Sequence, residues 1–109
     1  SLDYEAYNIK YFYTNYFSEF EAELANKELI SKVFATKPIN PERNEDGLYE
    51  LRLSFNALNE NTEDIMVLYY DSTMDVFFLE SPTIVDLNTK EIEIQFENTN
   101  IIACFVANA

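Results

Sequence analysis

The sequence predicts an α+β fold, with one or two N-terminal helices packed on one face of a four- to six-stranded antiparallel meander sheet. Three observations lead there. Apolar residues recur at helical spacing through the first third of the chain, and the period drops to two from Leu48 onward. Between the two regimes lies a stretch with two of the three prolines and the only glycine. Helices first and strands after is the α+β pattern. At 109 residues the chain is expected to form one domain spanning 1–109, with a helical part over 3–36, a loop over 37–47 and a sheet over 48–107.

Placed at 100° per residue, Leu2, Ala6, Ile9, Phe12, Tyr13, Tyr16, Phe17, Phe20 and Leu24 share one broad face, which predicts a helix over about 3–25. Asp3 suits its N-cap, and Asp3 and Glu5 suit its dipole. A strand reading competes at Tyr7, Ile9, Tyr11 and Tyr13, which alternate, but it places Phe12 and Tyr16 on the same face as Lys10 and Thr14. Asn26 then starts a second, shorter helix whose apolar face is Leu29, Ile30, Val33 and Phe34, and Pro38 ends it. Residues 36–47, "TKPINPERNEDG", are the loop.

Beyond it, Tyr49, Leu51, Leu53 and Phe55 alternate with Glu50, Arg52 and Ser54, as Ile92, Ile94 and Phe96 do with Glu91, Glu93, Gln95 and Glu97. Both segments read as half-buried strands. The runs "IMVLYY", "VFFL" and "IIACFV" are apolar at successive positions, as expected of strands covered on both faces. The predicted helices cover one face, so sheet curvature, the loop, a second copy or another protein must close the other. Short connections imply antiparallel neighbours.

Hydrophobic residues make up 48% of the chain and aromatics 16%, too many for a disordered segment despite the charge. Seven Lys and Arg face twenty Asp and Glu, a net charge of −13. Such an excess repels nucleic acid and anionic membranes and speeds encounter with basic partners. It is uneven: residues 26–37 hold three lysines and one glutamate, whereas 38–64 and 65–109 hold seven acids each. Cys104, the sole cysteine, lies in an apolar run, so no disulfide forms within the chain and a reducing, cytoplasmic location is expected. No apolar run approaches the roughly 20 residues of a membrane span.

With no histidine, one cysteine and one glycine, the chain lacks the commonest general base, a thiolate zinc site and any glycine-rich phosphate loop. No enzyme activity, metal or other cofactor is expected. Glu42, Asn44, Asp46 and Gly47 match four positions of a calcium loop, but its twelfth position falls on Leu53 instead of the required glutamate.

Two candidate partner-binding features remain. Glu91, Glu93 and Glu97 project from one strand face, with neighbours two residues apart separated by about 6.8 Å, the length scale of a phosphate backbone. Asp71 and Asp75 add to that acidic sheet surface. Tyr4, Tyr7 and Tyr11, at helical spacing, form a stripe of the residue type that interfaces favour. Each has a structural alternative, a solvated outer face for the acids and internal packing for the tyrosines.

In size and charge the chain resembles the inhibitors that phages and mobile elements carry against host nucleases, including anti-CRISPR and anti-restriction proteins. The resemblance is one of composition. It implies a nucleic-acid mimic that blocks a basic, nucleic-acid-binding surface of a partner protein without binding nucleic acid itself. An immunity protein or antitoxin against a nuclease toxin is the alternative with the same mechanics. A self-associating structural domain, closing its bare sheet face as a homodimer, is the alternative of a different class.

Overall fold

In the computed structural model, residues 2–7, 17–54, 56, 58–59 and 61–109 are described, and nearly all their regular structure is strand. The strands are β1 (Leu2–Tyr7), β2 (Lys27–Leu29), β3 (Val33–Pro38), β4 (Tyr49–Ser54), β5 (Met66–Asp71), β6 (Val76–Glu80), β7 (Ile84–Asp86), β8 (Glu91–Phe96) and β9 (Ile101–Asn108). Among the described residues, helical backbone is confined to a 3-10 turn, Phe17–Phe20, running into the single turn α1 (Glu21–Leu24). The predicted α+β fold is therefore corrected to an all-antiparallel β architecture of two sheets.

Strands replace the predicted helices at residues 2–7, 27–29 and 33–38, whereas Phe17–Leu24, inside the predicted first helix, is helical. Residues 2–7 pair in antiparallel register with β3, from Leu2 opposite Pro38 to Tyr7 opposite Val33. Of the rest of the predicted first helix, residues 8–16 lie outside the described residues. In the second segment the apolar residues that a helix would gather on one face are divided between two. Leu29 and Val33 join one hydrophobic cluster, whereas Ile30 and Phe34 join another. The physical reason is long-range pairing. Aromatic and β-branched residues lose rotamer freedom in a helix and fit a pleated surface, so when β9 offers a partner the strand wins.

The large sheet runs β1-β3-β9-β5-β6, and β2 also pairs with β9. Strand β9 is its centre. One edge meets β5 from Met66 opposite Val106 to Asp71 opposite Ile101. The other edge meets β3 near Ala103 and β2 near Val106. Between β2 and β3 the chain bulges at Ile30–Lys32. There the Phe105 N–H donates to Ser31 Oγ at 2.8 Å, and the Ile30 N–H donates to the Phe105 carbonyl at 3.0 Å, so the central strand stays satisfied across the break. The small sheet is β4-β8-β7, again antiparallel.

The C-terminal part is thus not a meander. Only β5 and β6, and β7 and β8, are sequence neighbours that also pair within it. The short connections from β6 to β7 and from β8 to β9 cross from one sheet to the other. A short connection limits distance; it does not oblige the two strands to share hydrogen bonds. On one side of the molecule β1 lies beside β4, bringing the sheet edges together.

The main core lies between the sheets. Phe34, Val67, Tyr69, Ala103 and Phe105 from the large sheet meet Leu51, Leu53, Ile92, Ile94 and Phe96 from the small one. The successive apolar positions of β5 and β9 serve both faces. Leu68, Cys104 and Val106 point the other way, into a second cluster to which Leu24 and Phe20 contribute. The inner face is closed by a second sheet.

Candidate functional site

The groove that stands out is built on the β5–β6 hairpin. At the end of β5, Asp71 Oδ1 accepts the Thr73 and Met74 backbone N–H groups at 2.9 and 3.1 Å, an Asx-type turn that folds residues 72–75 back. Asp75 completes the turn with φ of 55°. The turn is fastened to the connection between β8 and β9. Asn98 Nδ2 donates to Asp71 Oδ2 at 2.9 Å, and both the N–H and the hydroxyl of Ser72 donate to the Asn100 carbonyl at 3.0 Å. Asp71 is only 2% exposed, and these bonds satisfy its carboxylate.

This clamp sets the inner face of the hairpin against the end of β8. Tyr69 stacks on Phe78 with ring centroids 4.9 Å apart and meets Phe96 edge-on at the same distance. Its hydroxyl donates to Glu80 Oε2 at 3.2 Å. Burial pushes ionisation of that phenol well above the usual tyrosine range, and the negative charges of Glu80, Asp71 and Glu97 push it further. Leu48, Met74 and Gln95 complete the lining of a groove of about 240 Å³. The Glu80 and Glu97 carboxylates have no cationic partner among the described residues.

A second cleft, of about 690 Å³, separates residues 40–44 from the outer face of β4 and β8. Its polar groups are largely answered within the fold. Arg52 pairs with Glu93, a contact that holds the guanidinium's proton more tightly than usual. Arg43 donates to the Gly47 and Glu97 carbonyls at 2.6 and 3.2 Å and lies 4.5 Å over the Tyr49 ring. Asn44 Nδ2 donates to Glu50 at 3.0 Å.

The predicted acidic row is divided by this pairing. Glu91 is half-buried and accepts the Thr89 hydroxyl at 3.0 Å; Glu93 is 7% exposed and bound to Arg52; Glu97, just past β8, is exposed at the groove. Asp71 is the buried clamp, and exposed Asp75 accepts the Tyr70 hydroxyl. Tyr4 and Tyr7 lie on β1, so the helical spacing that grouped them does not apply, and Tyr11 falls outside the described residues. Tyr69, Phe78 and Glu80 did not stand out in the sequence. The one signal was the "DST" turn, which implies a hairpin and hence a register placing Tyr69 opposite Phe78.

In the 42–47 loop, Asn44 Oδ1 accepts the backbone N–H groups of Asp46 and Leu48 at 2.9 and 3.0 Å, a turn-forming use of that oxygen. Among the described residues no group of three or more metal-ligating side chains is assembled. Nor is any helix among them long and apolar enough to cross a membrane. Comparison with known proteins found no matching family, curated relative or solved structure.

Proposed function

We propose that this protein is a non-enzymatic, acidic binding protein that acts in the cytoplasm by occupying a basic surface of a partner protein, one that otherwise holds nucleic acid. The observation that carries the reading is uncompensated charge. The chain has a net charge of −13: seven Lys and Arg, of which Lys27 pairs with Asp64 and Arg52 with Glu93, cannot neutralise twenty acids. The surplus generates a field that draws basic surfaces in and repels nucleic acid. With Glu93 neutralised, the mimicry lies in the overall field and in exposed carboxylates such as Glu80 and Glu97, rather than in a regular row along β8.

Affinity capture from the source cell, with washes of rising salt, tests the reading. The expected result is a nucleic-acid-binding protein that elutes as salt rises and is bound more weakly by a Glu80→Lys/Glu97→Lys variant. Recovery of no partner other than the chain itself would replace this reading with self-association.

A further inference from the structure

We infer that the groove between the β5–β6 hairpin and the end of β8 is the seat for one arginine side chain of the basic partner. The inference rests on the reading above and adds where, and by which contacts, the partner is held. At about 240 Å³ the groove is smaller than the roughly 300 Å³ at which pockets for free small molecules begin, a size that suits a single inserted side chain.

Its lining is ordered by chemistry. Leu48 and Met74 offer apolar surface to an aliphatic stem. The half-buried Phe78 ring, backed by buried Tyr69, offers aromatic surface to a flat cation. Glu80 and Glu97 supply acceptors for charge-assisted hydrogen bonds. Among the described residues no Lys or Arg lines the groove, so these charges meet no counter-charge in that lining. The Asp71 carboxylate adds negative potential, but its oxygens are committed to the hairpin turn and Asn98. Arginine fits this set better than lysine, because a planar guanidinium can stack on a ring and hydrogen-bond two carboxylates at once, whereas an ammonium is a strongly hydrated point charge. The hairpin clamp holds the walls in place before binding, which lowers the ordering cost.

The test uses a hexa-arginine peptide as probe, titrated into the full chain at low salt and followed by two-dimensional amide NMR. Glu80→Gln/Glu97→Gln removes the groove charges at constant shape, and Glu21→Gln/Glu23→Gln removes two exposed charges on α1 as a control; circular dichroism checks that each variant folds. The expected result is shifts centred on Tyr69, Phe78 and Glu97, with roughly tenfold weaker binding for the groove variant and little change for the control. Hexa-lysine should bind more weakly than hexa-arginine. Equal losses in the two variants, or shifts spread over the acidic surface, would overturn the groove while leaving the acidic-binder reading intact. Absence of hexa-arginine binding would also overturn the groove, and the capture experiment would still decide the broader reading.

Discussion

Asp71 shows how much one side chain can hold. Its carboxylate satisfies two turn N–H groups and the Asn98 amide while nearly fully buried. Asp71→Ala would strand those donors, and a loss of about 2–3 kcal/mol is expected in urea unfolding, with loosening of the 72–75 and 97–100 backbones in hydrogen exchange. Cys104 is fully buried in the second cluster, and burial pushes its thiol up to about 12. The thiolate is therefore scarce at pH 8, and iodoacetamide should label Cys104 only after denaturation. Tyr69 gives a pH dependence. Because the fold favours the protonated phenol, the folded chain holds that proton more tightly than the unfolded one. The resulting stability is present below pH 10.0, the group's ordinary value, and is lost as pH rises above it. Absorbance at the phenolate band should show a late-titrating component that is missing from a Tyr69→Phe variant.

At the scale of elements, the interrupted edge formed by β2 and β3 decides whether β9 is paired along its length. Ser31 does this with one hydroxyl, accepting from Phe105 and donating to the Lys32 carbonyl at 2.9 Å. Ser31→Ala leaves a central-strand N–H without its acceptor and is expected to cost about 1–3 kcal/mol, read as a lower urea midpoint at unchanged slope. The alternation of β4 and β8 was legible in the sequence, because Leu51, Leu53, Ile92, Ile94 and Phe96 are buried as their spacing implies. The N-terminal strands were not. Leu29, Ile30, Val33 and Phe34 satisfy a helical spacing and, equally, two strands parted by a bulge. Local periodicity cannot separate the two when the deciding partner, β9, lies some seventy residues away.

For the whole molecule, the two sheets stand or fall by the core between them. Phe96 is 1% exposed and edge-on to Tyr69. Phe96→Ala should cost about 3–5 kcal/mol, a large part of the stability of a domain this size, and should collapse the groove with the core. The net charge of −13 repels itself in the compact state, so the melting temperature should rise as sodium chloride is raised from low ionic strength.

By itself the sequence determined the acidity, the half-buried character of β4 and β8, the two-faced burial of β5 and β9 and the inert setting of Cys104. These follow from composition and from spacing within a few residues. Only the tertiary structure decided that residues 2–7, 27–29 and 33–38 pair as strands, that a second sheet closes the inner face, and that Glu93 is neutralised by Arg52. It also decided that Glu97 meets Tyr69, Phe78 and Glu80 in one groove. Each depends on which distant strand lies alongside, and strand pairing is a contact between residues far apart in the chain that no local pattern encodes.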